Sequence, residues 1–159
     1  MAAPVPGART PPSGFLLREG FKSTLTFASQ ASIQLWEREV KPPSMESGDP
    51  IDISTMFNSR WLTFFPRKLV KAGNAMIVCG YDPAVESIII NQVGSPDTIT
   101  VTFPTTSTLA FYGALMNFDP QNLKIGEFPL ANVTIMVTNW DNTNNVEAGP
   151  VYTASAGTP

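Results

Sequence analysis

The sequence predicts a mainly β domain, a β-sandwich with one flanking α-helix, a long inter-strand loop and an extended N-terminal arm. Three observations carry that expectation. The first is strict alternation: Ile99, Val101 and Phe103 alternate with Thr98, Thr100 and Thr102, and Ala131, Val133, Ile135 and Val137 alternate with Asn132, Thr134, Met136 and Thr138. A period of two in β-branched residues marks strands with one face in a core. The second is a single helical window over residues 82–93. The third is irregular chain of two kinds, a proline-rich start and a proline-broken stretch over 41–59.

Residues 1–14 hold Pro4, Pro6, Pro11 and Pro12 beside Gly7 and Gly14. They suit neither helix nor ladder, so an extended arm is expected. Phe15, Leu16 and Leu17 follow, three adjacent apolar residues expected to pack on the body or on a neighbouring subunit. Residues 21–27 and 32–40 read as the first two strands. Leu25, Phe27, Ile33 and Leu35 point to the core, Trp36 and Arg38 point away, and residues 28–31 are short enough for a hairpin. Residues 41–59 are long for a structureless loop in a compact domain. Met45, Ile51, Ile53, Met56 and Phe57 are too apolar for a linker, which points to a loop that folds onto another subunit.

Residues 60–66 read as a short strand ended by Pro66, and residues 75–81 as a near-continuous apolar central strand. In the helical window Asp82 can act as N-cap with Pro83 at the first helical position. Val85, Ile88, Ile89 and Val93 give the apolar stripe, and Gly94 can end the helix. Strands at 98–103, 107–116 and 131–138 form a three-strand unit. A turn-rich segment, 139–145, leads out of it; Val151 and Tyr152 are expected to dock, with residues 153–159 a mobile tail. The domain reading is therefore an arm over 1–14, a body over 15–152 and that tail.

Charge narrows the function classes. Only 14% of the 159 residues are charged, well below the usual quarter. Residues 1–71 carry nine Lys/Arg against six acids, and residues 72–159 carry Lys124 against seven acids. No basic run exists, which argues against a nucleic-acid binder, since binding needs clustered cations to displace counterions from phosphates. The polar face of the three-strand unit is unusual too: it offers Thr and Asn with almost no charge.

Candidates for chemistry are few. With no histidine, every His-based triad or metal site is excluded. Cys79, the single cysteine, lies in an apolar strand and reads as a buried inert thiol with no disulfide partner. Glu46, Asp49 and Asp52 are close in sequence but lack a regular calcium-loop spacing. No phosphate-cradling glycine run is present, and Asn132-Val-Thr134, a glycosylation pattern, falls within a strand. No catalytic, cofactor-binding or metal-binding residues are assigned, and no cofactor is expected. The first residues lack the apolar core of a signal peptide and no stretch approaches a membrane span, so the reading is a soluble chain made in the cytoplasm.

Several stretches taken in order resemble the tail tube (major tail) proteins of long, non-contractile phage tails. Residues 54–67, Ser-Thr-Met-Phe-Asn-Ser-Arg-Trp-Leu-Thr-Phe-Phe-Pro-Arg, are similar to the family's T-T-M-H-N … W-R-T … P-R, with Phe57 where the family often has His. Tyr81-Asp-Pro-Ala-Val85, residues 99–104 with 107–113, Phe118-Asp-Pro120 and residues 131–141 continue the match, which spans roughly residues 14–152. The resemblance implies a β-sandwich or half-barrel subunit of a structural virion protein rather than an enzyme. Copies would close into hexameric rings that stack into a tube. It also implies other tail proteins as partners (terminator, tape measure and distal tail proteins), DNA passing through the lumen unbound, and no membrane. The place would be the virion tail, after synthesis in the bacterial host.

Under that resemblance the candidate lumen-facing residues are Thr98, Thr100, Thr102, Asn132, Thr134 and Thr138. The candidate inter-subunit and inter-ring contacts are Phe15, Leu16, Leu17, Met45, Ile51, Ile53, Met56 and Phe57. Two other readings stand beside it. One is a tail terminator, baseplate or decoration protein on a similar fold. The other is a carbohydrate-binding sandwich using Trp36, Trp61 and Trp140.

Overall fold

Alternation decides which side chains can share a face, and here the faces decide the architecture. The computed structural model describes residues 22–33 and 35–155. In chain order it builds β1 (Thr24–Phe27), β2 (Trp36–Lys41), β3 (Met45–Ser47), β4 (Ile51–Asp52), β5 (Phe64–Phe65), β6 (Val70–Ala72) and β7 (Ala75–Gly80). Then come α1 (Pro83–Gln92), β8 (Pro96–Thr102), β9 (Thr108–Pro120), β10 (Leu130–Val137), β11 (Trp140–Asp141), β12 (Val146–Glu147) and β13 (Val151–Thr153). The expected mainly β fold with one helix is what forms.

One antiparallel sheet dominates, ordered β1-β8-β9-β10-β7-β2, with β13 added to the first part of β9. The sheet curls into a half-barrel, which brings its edge strands alongside each other. Across that seam the Leu25 N–H donates to Glu37 Oε1 at 2.8 Å. The core lies on one face of the curl, where Leu25, Phe27, Ile77, Ile99, Val101, Phe111, Leu115, Val133 and Ile135 are all buried. Cys79 is buried among them, and desolvation, with the nearby Glu37 carboxylate second, pushes its thiol up to about 11. An inert thiol is the result.

The helix starts as its caps dictate. The Asp82 carboxylate accepts from the Ala84 N–H at 2.9 Å with Pro83 in the first turn. Val93 ends the helix, and Gly94 at φ +78° donates its N–H to Leu115 at 2.8 Å. Ile89 is buried, and Val85 and Ile88 pack against the core. Val93 is exposed, and buried Gln92 takes the place the stripe gave it. Gln92 Nε2 reaches Asp97 Oδ2 at 3.2 Å, and Asp97 also accepts from the Ser29 N–H and hydroxyl. That carboxylate ties the turn after β1 and the end of α1 to the start of β8.

Five expectations are corrected. The 28–31 connection does not form a hairpin: β1 pairs with β8 and β2 with β7, at opposite sheet edges, because curling sets these edges together without a ladder. Residues 41–59 are only partly irregular, since β3 and β4 lie within them. The β2–β7 ladder continues outward through β3–β6 and then β4–β5, so residues 36–80 form one long hairpin. Within it the expected strand at 60–66 shrinks to β5. The first strand begins at Thr24, since Lys22 takes φ +66°, and β9 runs on to Pro120, opposite Ala131, with the Gln121 N–H still donating to the Leu130 carbonyl at 2.8 Å. Docking of Val151 and Tyr152 does occur, against Ala110 and Leu109, with Thr153 still paired to Thr108. The proposed arm over residues 1–14, together with Phe15, Leu16 and Leu17, lies outside the described residues.

Gly113 sits where β9 is flanked on both sides, by Asp97 of β8 and Val137 of β10. A Cβ there would lie 2.5 Å from the Met136 carbonyl oxygen, a backbone atom held by the ladder. Gly113→Ala should therefore cost about 1–3 kcal/mol as an overpacked site, read as a lower urea midpoint with an unchanged slope.

Candidate neutral sheet face and apolar arm

Residues directly paired across an antiparallel ladder point to the same face, so the registers assemble the polar face rung by rung. Thr24, Thr102, Thr108 and Thr153 form one rung across β1, β8, β9 and β13. Thr26, Thr100, Ala110 and Val151 form the next, followed by Thr98 with Tyr112. On the β10 side Asn132 lies between Asp119 and Val78, and Thr134 between Asn117 and Met76. Thr98, Thr100, Thr102, Asn132 and Thr134 thus share one half-buried face. Asp119 is its only charge on these rungs until the β2 margin, where Glu39 and Lys41 pair with Val78 and Met76.

Thr138 is set apart from the other five. It follows the end of β10, its N–H donates to Tyr112 at 2.9 Å, and Asn139 turns the chain at φ +52°. The Thr138 hydroxyl is out of contact with solvent and has no hydrogen-bond partner among the described residues. Thr108 and Thr153, which complete the threonine rung, were visible in the sequence only as residues; their membership depends on pairing.

Tyr112 connects this face to the following hairpin. Its hydroxyl donates to Asp141 Oδ2 at 3.1 Å, while Asn144 Nδ2 donates to the same oxygen at 2.6 Å and the Thr143 N–H to Oδ1 at 2.8 Å. Asp141 is buried, and these donors, Asn144 first, hold its carboxyl below the usual carboxylate range despite desolvation.

The arm is the second surface. Beyond Ala72 it has no core of its own: Met45, Ile51 and Ile53 are exposed, and Met56 and Phe57 are 101% and 98% exposed. Trp61, Leu62, Phe64 and Leu69 are exposed as well. Its tip is nevertheless fixed. Asn58 Oδ1 accepts from the Thr55 N–H at 2.9 Å, and Asn58 Nδ2 donates to the Trp61 carbonyl at 2.7 Å and to Thr63 Oγ1 at 2.9 Å. The Ser54 hydroxyl accepts from the Thr63 N–H at 2.8 Å, and Asp52 accepts from the Ser54 N–H at 2.8 Å. The Arg60 guanidinium stacks 5.3 Å from the Trp61 ring. Local side-chain bonds therefore hold apolar groups in water in a defined shape.

Among the described residues no group of His, Cys, Asp or Glu gathers to hold a metal ion, so Glu46, Asp49 and Asp52 do not make a ligand set. Among the same residues no helix is long and apolar enough to cross a membrane.

No family model matches the chain, and no curated protein does. Solved structures do. A chain of the anti-feeding prophage baseplate, solved with six-fold symmetry, superposes with a TM-score of 0.58 at 6% identity, over 83% of this chain and 91% of that one. A chain of the native gene transfer agent virion gives 0.59 at 10% identity over 86% and 99%. A chain of the tail of the empty gene transfer agent particle, with C6 symmetry, gives 0.58 at 10% over 87% and 99%. At such identities the likeness is one of fold: this chain has the fold of subunits found in phage-derived tail and baseplate particles.

The Asp141 network makes a pH prediction. A carboxyl with a folded pKa below its unfolded value stabilises the fold fully above the unfolded value, and that contribution is lost as pH falls through the folded one. Between pH 7 and pH 2.5, Asp141→Asn should flatten the fall of unfolding free energy with acid. A slope identical to wild type would remove Asp141 as a contributor.

Proposed function

We propose that the chain is a non-catalytic structural subunit of a phage-type tail, self-assembling into rings of six that stack as the tail tube. The observation that carries this reading is the neutral threonine and asparagine face running over β1, β8, β9, β10 and β13. Nearly full-length likeness to chains of six-fold-symmetric tail and baseplate assemblies supports it. So does an arm whose apolar residues have nothing among the described residues to cover them.

In this arrangement Thr98, Thr100, Thr102, Asn132 and Thr134 line the channel, and the arm residues Met45, Ile51, Ile53, Met56 and Phe57 are buried between copies. Phe15, Leu16 and Leu17 join them from the N-terminal segment. The physical logic concerns what DNA meets in transit. A lysine-rich wall would hold phosphates through counterion release, and an apolar wall would resist wetting. Hydroxyl and amide groups do neither. Terminator, tape measure and distal tail proteins are the partner classes, and the particle's tail is the location.

A baseplate, terminator or decoration role shares the fold and differs in whether rings polymerise. The carbohydrate-binding reading has less support, since Trp36 and Trp61 lie at opposite ends of the long hairpin and form no common stacking platform.

Negative-stain microscopy of the purified protein at high concentration tests the proposal. Long tubes are expected; single rings would favour a terminator or baseplate role, and monomers would overturn self-assembly. A second measurement concerns the wall. Particles carrying Thr100→Lys with Thr134→Lys should assemble but eject DNA more slowly, most clearly at low salt, and unchanged ejection kinetics would reject the lumenal placement.

A further inference from the structure

The arm has a counterpart elsewhere on the molecule. After Ala114 the β9 edge is no longer covered by β8, and α1 lies along it instead. Between them is an open groove of about 230 Å³, lined chiefly by Glu86, Ile89, Ile90, Val93, Met116 and Phe118. That is below the roughly 300–1,000 Å³ of small-molecule sites, and suits a single large side chain. Ile90, Val93 and Met116 are exposed along it. The groove borders β9, whereas the arm leaves from β2 and β7, on the other side of β10. Neither surface covers the other within one chain.

Their charges are complementary. Residues 53–69 of the arm hold Arg60, Arg67 and Lys68 and no acid. The acid that lines the groove is Glu86, whose Oε2 accepts from the Tyr81 hydroxyl at 2.7 Å, and the nearest base in sequence, Lys124, is paired with Glu127 at 3.6 Å. We infer that the arm tip of one copy seats in the α1–β9 groove of a second copy, an aromatic or Met56 side chain entering it while the arm cations face Glu86. This builds on the self-assembly reading and adds the receiving surface. Because two different patches meet, the contact is heterologous and propagates from copy to copy, into a closed ring or an open stack. A tip already ordered by Asn58 loses little freedom on docking.

The test places a photocrosslinking amino acid at position 90, an exposed helix site, in an equal mixture of isotopically light and heavy chains at assembling concentration. Mixed-isotope crosslinks from position 90 to residues 53–69 are expected. Crosslinks to residues 1–21 or to any other segment, crosslinks within one copy only, or none, overturn the contact. Arg60→Glu and Glu86→Arg should each raise the concentration needed for association about tenfold, with the double reversal recovering most of that loss; additive losses overturn the pairing. Thermal melts confirm that both variants fold. Tubes whose position-90 crosslinks fall elsewhere reject this contact and leave the tube reading intact. Arm-to-groove crosslinks in particles that stop at one ring support the contact and reject the tube.

Discussion

The outward surface depends on the parity of three ladders. Ile99 and Val101 of β8, Phe111 and Leu115 of β9, and Val133 and Ile135 of β10 are withdrawn from solvent. A one-residue slip would exchange each for its polar neighbour. In β8 alone it would expose Ile99 and Val101, at about 1.5–3 kcal/mol each. It would also bury threonine hydroxyls, at about 1–3 kcal/mol for each left without a partner. The neutral face is thus held in place by the core behind it. The irregularity in β9 respects this rule: Met116 is the extra residue, so Leu115 still faces Ile135 while Asn117 faces Thr134.

The β2–β7 hairpin obeys the same pairing rules but outruns the core. Its inner ladder places Ile77 and Cys79 in the interior, and beyond buried Ala72 its outer ladders β3–β6 and β4–β5 are exposed. Two-stranded ribbons without a packed face are marginal in water. Asn58, Ser54 and Asp52 compensate by satisfying backbone and side-chain groups around the tip. That order is obtained from polar bonds alone, which leaves the apolar side chains free to be covered by something else.

These two regimes explain what was legible in the sequence. Where one face is buried, alternation gave the strands and their facing, Thr98, Thr100, Thr102, Asn132 and Thr134 among them. Thr138 lies just past the end of β10, where its N–H still donates to Tyr112 before the left-handed Asn139 turns the chain. Where neither face is buried, no period exists to read. Pro42, Pro43, Gly48 and Pro50 then look like loop punctuation, though they only separate short ladders. The β1–β2 connection was misassigned for another reason: its length suits a hairpin, but edge closure of a curled sheet leaves no local signal. The groove beside α1 was hidden likewise, since it joins helix residues to strand residues more than twenty positions away.

Charge placement follows the same division. The basic excess of the first 71 residues falls partly on the arm, at Arg60, Arg67, Lys68 and Lys71, whereas the threonine rungs carry none. Screening at physiological salt acts over about 8 Å, so cations on a projecting hairpin contribute little field at rungs several strands away. A face lined by hydroxyls can then stay electrostatically quiet while cations elsewhere on the chain are available to orient an apolar contact. Keeping basic groups off the β1–β8–β9 threonine rungs, with several of them on the arm instead, is what would let one small domain present both an adhesive surface and one that does not hold a polyanion.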